Sequence, residues 1–365
     1  MRADLALVGF GHVGRRLARL LEERRDWLSL DYDLDCRIVG IATRHHGSVF
    51  RDSGVDAVAS AVSVEGGHPL TENGTPLADG TLDVIRRLAA SDAPLRVLVE
   101  TTTLDITAGQ PAIDYVRAAL QAGCHVVTAN KGPAAFAYEE LSALAHDRDV
   151  SFLFEGAVMD GVPIFNLVRE CLPAVEIAGF RGVLNSTTNH ILSALEDGEG
   201  FDAALQRMQD MGIAEADPSL DVDGWDAAAK TSALANVLMR ARMTPQAVDR
   251  EGIGPATARL AMAARARGAR VRLVASARRT AQGVVASVRP VELPDTDLLA
   301  GLRGMANALV LQTDLLGEIA VSQLGGSLTQ TAYALLSDLI SIERNLSRAP
   351  ATRRAPPAAR RRRTP

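Results

Sequence analysis

A glycine-rich turn close to the start of the chain constrains its fold more than any other feature. A short apolar run, Ala3–Val8, leads into Gly9-Phe10-Gly11-His12-Val13-Gly14, and the next residues, RRLARLLEERR, have apolar side chains at helical spacing. GxGxxG between a strand and a helix is typical of dinucleotide binding, because the glycines let the backbone approach a pyrophosphate at the helix N-terminus. These six residues are therefore the predicted cofactor contacts, and a tight turn without a ligand is the alternative.

The end of the second predicted strand indicates which dinucleotide binds. This strand, Cys36–Ala42, is followed by Thr43-Arg44 rather than by an acidic residue. An acid at this point holds the ribose 2′-hydroxyl in many NAD-binding folds, whereas an arginine suits a 2′-phosphate. The sequence therefore favours NADP over NAD, with Arg44 as the contact. The following segment, residues 45–76, is predicted to be a long loop.

Alternating strands and helices in the first half predict an α/β fold with a Rossmann-type, doubly wound parallel sheet. Such sheets bind ligands beyond the carboxyl ends of their strands. Two of these ends carry polar clusters, the threonines at 101–103 and the segment TANK at 128–131. The predicted strands are Leu95–Glu100, Cys124–Ala129 and Val150–Phe154, and the predicted helices are Gly109–Ala122 and Tyr138–Ala145.

The second half has the pattern of a separate α+β substrate domain. We expect a dinucleotide-binding domain at 1–155, the substrate domain at 156–324, a helix at 325–346 that packs back on the first domain, and a disordered tail at 347–365. The predicted strands are Val175–Leu184, Val271–Ala275, Val284–Pro290, Ala308–Gln312 and Ile319–Gln323, and the predicted helices lie near Asp202–Met211, Trp225–Met239 and Leu328–Asn345.

Composition excludes several classes of protein. No apolar run approaches the roughly 20 residues that span a bilayer, and the start lacks a secretory signal, so neither a membrane nor a secreted protein is expected. The three cysteines, Cys36, Cys124 and Cys171, are far apart, which indicates a reducing cytoplasm.

The tail holds seven arginines and no acid, so the formal net charge of −5 becomes −12 without it. The chain without its tail is acidic, which does not favour nucleic-acid binding, and the arginine-rich tail is the only feature that indicates an anionic partner.

Lysine is unusually scarce in this chain. Among 39 basic residues only Lys131 and Lys230 are lysines. Arginine stays protonated in proteins, whereas a lysine amine can release its proton and its pKa responds readily to burial. The two lysines therefore indicate two sites at which a compact or titratable amine is required.

The second lysine closes a dense acidic segment, EADPSLDVDGWDAAAK, at 215–230. An EF-hand is excluded, because its position-12 carboxylate would fall on Lys230. Trp225 onward has helical composition, so Asp226 and Lys230 are one turn apart and within ion-pair reach. An aspartate can hold the lysine protonated while the lysine donates a proton to an oxygen that gains negative charge. The sequence favours this catalytic interpretation over a surface ion pair.

A glycine-broken stretch, Glu155 to Pro163, follows the last predicted strand of the first domain. Such a backbone can turn several carbonyls toward a hard cation, with Glu155 as the nearby anion. A plain strand-to-helix turn, with Pro163 at the helix start, explains the same residues equally well.

The chain resembles the homoserine dehydrogenases over nearly all of residues 3–346. The acidic stretch that ends at Lys230, with seven fixed positions, is the most specific, and the match is to the short form without a regulatory domain. The resemblance implies NAD(P)H-dependent reduction of aspartate 4-semialdehyde to L-homoserine, on the route to threonine and methionine. The matching stretches are GFGHVG, ETTT, TANKGP, FEGAVMDGVPIF, NSTTN and E-x-D-P-x-x-D-x-x-G-x-D-x-x-x-K.

The resemblance also implies a role for each matching site residue. Lys230 would be the proton donor, assisted by Asp226, while Lys131 lies between nicotinamide and substrate and Thr101 contacts the nicotinamide. A homodimer built through the second domain is implied as well. The substrate would be held by Glu215, Asp221 and Thr187, and a monovalent cation, usually sodium, by Glu155, Val158, Asp160 and Val162.

Two departures from the family pattern stand out. The cation stretch has Met159-Asp160 where many members have glycine or alanine, and NSTTN replaces the commoner NGTTN.

Two alternative functions remain. One is a dehydrogenase for another small amino or hydroxy acid on the same scaffold, and the other is a non-catalytic nucleotide-binding regulator whose tail binds an anionic partner.

Overall fold

The structure, a computed structural model, describes residues 1–70, 73–78, 80–211, 214 and 217–348. It contains two sheets, one in each half of the chain, with helices packed around them. The predicted α/β class is therefore confirmed. Two features position the site. They are the strand ends of the first sheet and one long helix beside the second sheet.

The first sheet has seven strands in the order β4-β3-β2-β1-β5-β6-β7. The five strands from β2 to β7 in this order pair in parallel, while β3 and β4 join antiparallel at the β2 edge. The strands are β1 (Arg2–Val8), β2 (Asp35–Ala42), β3 (Ser48–Phe50), β4 (Thr75–Pro76), β5 (Leu95–Glu100), β6 (His125–Thr128) and β7 (Phe152–Leu153).

Helices cover both faces of this sheet, as expected for a doubly wound fold. The first, second and third helices pack in one apolar cluster, and the fourth, fifth and sixth pack in another on the opposite face. They are α1 (His12–Glu23), α2 (Arg25–Tyr32), α3 (Ala57–Glu65), α4 (Gly80–Ala89), α5 (Ala112–Gln121) and α6 (Lys131–Asp147).

The second sheet has six strands, mostly antiparallel, in the order β13-β12-β8-β10-β11-β9. Its strands are β8 (Ile177–Val183), β9 (Asp249–Arg250), β10 (Ala269–Thr280), β11 (Gly283–Pro294), β12 (Asn307–Thr313) and β13 (Gly317–Gln323). The helices of this half are α7 (Ile164–Asn166), α8 (Ser186–Glu196), α9 (Phe201–Asp210), α10 (Ser219–Val222), α11 (Trp225–Met239), α12 (Pro255–Arg265) and α13 (Leu328–Arg348).

Two helices connect the halves. The helix α11 packs against α6 of the first half, and Asn236 of α11 donates hydrogen bonds to the carbonyls of Ala134 and Ala135 at 3.2 and 3.1 Å. The last helix, α13, returns to pack against α1. Within the described part of the chain, every helix is too short or too polar to cross a membrane.

The segment 45–76 differs from the prediction of a loop. It contains β3, α3 and β4, and β3 turns back against β2 through the hairpin at 43–47. A three-residue strand and a helix with apolar residues on most faces carry no clear periodicity, so pattern reading missed them. The helix α6 begins at Lys131, where the Asn130 side chain caps it by accepting the Gly132 amide at 2.9 Å, and a kink at Ala137 (φ −138°, ψ 20°) directly precedes the predicted start at Tyr138.

Candidate active site

Gly9 fixes the approach of the glycine turn to the neighbouring strand end. Its φ is +81°, and a Cβ there would lie 2.5 Å from the carbonyl carbon of Thr101. The Thr101 amide donates to the Val8 carbonyl at 2.8 Å, and its hydroxyl donates to the Gly9 carbonyl. A Cβ at Gly14 would lie 3.1 Å from the Thr101 hydroxyl. The turn and the end of β5 are therefore in direct backbone contact, which requires glycine.

The middle of the turn fits a bound pyrophosphate. Gly11 caps α1, and a Cβ there would meet no atom nearer than 3.9 Å, so its backbone faces open space. His12 is exposed on the first turn of α1, and Val13 lines the cavity described below. Phe10 is buried in the core, so only its backbone remains for a ligand. The open cradle at the N-terminus of a helix suits a phosphate group.

Arg44 lies on the exposed hairpin turn between β2 and β3. The Thr43 amide closes this turn by donating to the Gly47 carbonyl at 3.0 Å. The turn lies beside the glycine loop, because the Gly9 amide donates to the carbonyl of Ala42 at 3.0 Å. The backbone of this turn therefore lies beside the glycine loop, and a contact of the Arg44 side chain with the cofactor stays a prediction.

Three side chains from both halves of the chain form the charged centre of the site. Asp226 lies in the first turn of α11, and Lys230 follows one turn later on the same face. The Asp226 carboxylate is 2.9 Å from the Lys230 ammonium and 3.3 Å from that of Lys131, the first residue of α6. The Lys230 ammonium also donates to the carbonyl of Leu184 at 2.7 Å. The packing of α11 on α6 thus brings both lysines of the chain to one carboxylate.

A second carboxylate is joined to this centre by Asn185. Asn185 caps α8, with its side-chain oxygen accepting the Thr188 amide at 2.8 Å. Its amide nitrogen donates to Asp221 at 2.7 Å and to Asp226 at 3.0 Å. Thr187, on the first turn of α8, interacts with the Asp221 carboxylate. Asp221 and Thr187 are therefore neighbours, as their predicted common role requires.

Burial and pairing act in opposite directions on the pKa values of these groups. Burial opposes ionisation of Asp226, yet Lys230, Lys131 and Asn185 outweigh it and lower the pKa of Asp226. Burial also opposes the charge of Lys230, but Asp226 outweighs it and raises the Lys230 pKa. The pKa of Asp221 is raised, first by burial and then by the negative charge of Asp226. At neutral pH the centre therefore holds a carboxylate and a protonated lysine.

A cavity of about 240 Å³ opens between the glycine turn and this charged centre. Both lysines line it, so the Lys230 side chain faces the crevice and not bulk solvent. Larger cavities of about 860, 710 and 320 Å³ lie elsewhere on the surface, and neither lysine lines them. The cavity is lined by Val13, Thr101, Thr102, Ala129, Asn130, Lys131, Gly156, Ala157, Val158, Asp160, Lys230 and Thr331.

Glu155, the acidic residue of the predicted cation stretch, is buried just after β7. Its two carboxylate oxygens accept the amides of Phe165 and Asn166 at 2.8 and 2.7 Å. Its own amide donates to Asp338 of α13 at 2.9 Å. Burial raises the pKa of Glu155, and burial followed by the charge of Glu155 raises that of Asp338 to about 8. The Glu155 side chain thus holds the start of α7.

The rest of the stretch offers mainly backbone oxygens to a cation. Val158 lines the cavity and Val162 is half-buried. Asp160 has a φ of +47°, and its carboxylate accepts from Gln323 at 3.0 Å and Thr331 at 3.1 Å. Among the described residues no group of three or more His, Cys, Asp or Glu side chains could hold a metal. Oxygen atoms of this kind suit a hard cation better than zinc, and a monovalent ion at this stretch stays a prediction.

The chain is similar to known proteins along almost its whole length. A family model described as "Homoserine dehydrogenase, NAD binding domain" matches residues 9–155, and one described as "Homoserine dehydrogenase" matches residues 163–340. The NAD(+)-dependent homoserine dehydrogenase of Pseudomonas canavaninivorans is 39% identical over 345 residues, which are 94% of this chain and 97% of that protein. The chain belongs to the homoserine dehydrogenase family.

Further relatives agree with this assignment. The homoserine dehydrogenase of Methanocaldococcus jannaschii is 34% identical over 343 residues, which are 93% of this chain and 98% of that protein. A homoserine dehydrogenase structure from Thiobacillus denitrificans superposes with a TM-score of 0.81 at 30% identity and covers 98% of this chain and 76% of that chain. The family resemblance inferred from the sequence motifs is confirmed, and with it an NAD(P)-dependent oxidoreductase that acts on a CH–OH group.

Within this candidate site, the structure brings together most of the residues predicted from sequence. Glu215 lies outside the described residues. Sequence reasoning missed Asn185, which bridges both carboxylates, and the Leu184 carbonyl, which holds Lys230. An asparagine three residues before Thr188 is a recognisable helix-cap signal, so the position of Asn185 was readable even though its contacts were not.

Proposed function

We propose that this chain reduces L-aspartate 4-semialdehyde reversibly to L-homoserine, on the cytoplasmic route to threonine and methionine. The observation that carries the proposal is the Asp226 carboxylate with one lysine on each side of it, in a cavity that reaches the glycine turn. The names of the relatives at 39% and 34% identity support the same substrate.

Lys230 is the proton donor in this proposal. Its raised pKa keeps the ammonium form at neutral pH, and Asp226 and the Leu184 carbonyl fix two of its three donor directions. The third direction is left for the substrate oxygen, which gains negative charge during the reduction. A bound nicotinamide supplies the hydride. A preoriented donor of this kind stabilises the developing charge by roughly 3–4 kcal/mol.

Lys131 and the acidic segment bind the substrate in this proposal. Lys131 lies across Asp226 from Lys230 and adds a second positive charge near the forming alkoxide. Asp221, with Thr187 beside it, would hold the substrate ammonium together with Glu215. Carboxylates suit the amino group and lysines suit the oxygens, so the charges of the site match those of an amino-acid aldehyde.

NADP is the proposed cofactor, with NAD as the alternative. Arg44 on the rim of the crevice suits a 2′-phosphate, and the glycine cradle and Thr101 would take the pyrophosphate and nicotinamide. The relative from P. canavaninivorans is named NAD(+)-dependent, so the preference has to be measured. We also propose sodium at the carbonyls of Val158, Asp160 and Val162 beside Glu155, and a homodimer built through the second domain.

The test is oxidation of L-homoserine by the purified protein, followed at the reduced-cofactor absorbance with each cofactor in turn. Lys230→Arg keeps the positive charge but does not release a proton at neutral pH. We expect it to lower turnover at least about hundredfold while the unfolding temperature is unchanged. Turnover of other small hydroxy acids but not homoserine would contradict the substrate, and near-normal turnover of Lys230→Arg would contradict the proton donor.

A further inference from the structure

Glu100 is a buried carboxylate at the carboxyl end of β5, and the mechanism above gives it no part. It is 0% exposed. It is in register with Val8, the last residue of β1, and with Thr128, the last residue of β6. Glu100 therefore lies where the ends of three parallel strands meet, directly below the candidate cofactor crevice.

Among the residues that the structure describes, the hydrogen bonds of the Glu100 carboxylate go to the two polar strand ends, namely to Thr102, to Thr128 and to the Asn130 side chain. One carboxylate oxygen accepts the Thr102 amide at 2.7 Å and also the Thr102 hydroxyl. The other oxygen accepts the Thr128 hydroxyl at 2.6 Å. Burial raises the pKa of Glu100, and the bonds from Thr102 and Thr128 act against that shift. The carboxylate thus ties the threonine loop after β5 to the end of β6.

The same network continues to the start of α6. The Thr128 hydroxyl accepts the Asn130 amide at 2.9 Å, so it relays the contact with Glu100. The Asn130 side chain caps α6 at Gly132 and donates to the Thr102 carbonyl at 3.1 Å. These bonds form a closed loop through Glu100, and Lys131 is the first residue of the helix that the loop holds.

Packing alone does not explain why the Glu100 carboxylate is buried. In the described part of the chain no lysine, arginine or histidine forms a salt bridge with Glu100, and its partners are neutral. Burying a carboxylate without a cationic partner is costly. A neutral or apolar residue would fill the same space at a lower cost, so stability alone does not account for the acid.

We propose that Glu100 is a positioning residue for the reaction, acting through Thr128 and Asn130 on Lys131. Its two oxygens hold the threonine loop and the first turn of α6 at one fixed separation. This keeps the Lys131 ammonium facing the cavity, 3.3 Å from Asp226. The inference rests on the proposed function, because it concerns the turnover that Lys131 supports.

The test compares two buried carboxylates of the same sheet. Glu100→Gln keeps the shape but replaces one acceptor oxygen by a donor, which opposes either Thr102 or Thr128. Asp4→Asn is the matched control, because Asp4 is 1% exposed and accepts Arg37 at 2.9 Å and Ser91 at 2.5 Å near the amino end of β1. Both variants are expected to lower the unfolding temperature.

Only Glu100→Gln is expected to change turnover. Misplacing a reacting group by about 1 Å costs up to about hundredfold in rate, so we expect kcat for homoserine to fall about 10- to 100-fold. The KM for homoserine should rise by a smaller factor than kcat falls, because Lys131 is displaced while the substrate contacts of Asp221 and Thr187 on the second half remain. An equal fall of kcat in Asp4→Asn would assign the effect to lost stability and overturn the proposal, as would normal kcat in Glu100→Gln.

Thr128→Val tests the relay separately. It removes the hydroxyl between Glu100 and Asn130, so its effect on kcat should not add to that of Glu100→Gln in the double variant. Additive losses would overturn the proposal. Should Glu100→Gln fail to fold, normal kcat in Thr128→Val overturns it alone. Lack of homoserine turnover in the wild-type protein contradicts the proposed function and the inference together, whereas an active wild type with unaffected variants contradicts the inference only.

Discussion

Replacing Asp226 by asparagine removes the charge that two lysines share and keeps the shape of the side chain. The carboxylate is 2.9 Å from Lys230 and 3.3 Å from Lys131, and 16% of the Asp226 side chain is exposed. At an effective dielectric constant of about 20, each contact corresponds to roughly 5–6 kcal/mol of Coulomb energy. Removing one partner of a buried pair costs about 3–5 kcal/mol, because the remaining charge stays buried. We expect Asp226→Asn to lower the free energy of unfolding by about that amount.

The pH dependence of this loss follows from the direction of the two shifts. Asp226 has a lowered pKa in the folded protein, so it stabilises above its unfolded pKa and the stabilisation is lost as pH falls through the folded value. Lys230 has a raised pKa, so its contribution is present below about 10.5 and is lost as pH rises through the folded value. Urea unfolding should therefore give a constant difference between wild type and variant from about pH 5 to about pH 9.

The pH dependence of kcat/KM gives a second measure of the effect of Asp226→Asn. Without the carboxylate, burial is the largest remaining influence on Lys230 and lowers its pKa. Because the proposed reduction requires the protonated lysine, kcat/KM for the aldehyde should begin to fall at a lower pH in Asp226→Asn than in the wild-type protein. Asp223→Asn, on an exposed acid of the same segment, is the control. Identical pH profiles and unfolding free energies for wild type and Asp226→Asn would refute the reasoning.

The remaining predictions concern the cofactor crevice and a buried ion pair in the second half of the chain. Gly11→Ala should weaken dinucleotide binding in a titration without a change in unfolding temperature, because its Cβ meets no atom within 3.9 Å, whereas Gly9→Ala should lower the unfolding temperature as well. Arg44→Ala should raise the KM for NADP and leave that for NAD unchanged; equal effects on both would exclude a 2′-phosphate contact. Glu196→Gln leaves the buried Arg272 without its carboxylate and should cost about 3–5 kcal/mol in urea unfolding, while kcat stays normal.

Much of the fold was readable because its elements carry their own local signals. The strand β5 and the helix α11 begin and end at the residues predicted for them. The strands β10 and β11 of the hairpin are twelve residues each, which is longer than predicted. The prediction falls short because arginines interrupt the apolar pattern of the sequence. The segment 45–76 differs from the predicted loop, because β3 is stabilised by pairing with β2 and has no apolar pattern of its own.

By itself the sequence determined the chemical groups and their local spacing. The glycine turn follows from backbone sterics, the pairing of Asp226 and Lys230 from one helical turn, and the scarcity of lysine from a count. Only the tertiary structure decided that Lys131, almost a hundred residues earlier, reaches the same carboxylate, and that Asn185 joins it to Asp221. The reason is that α6, α8 and α11 meet through packing between distant segments, and no periodicity within one segment encodes which helix will face another.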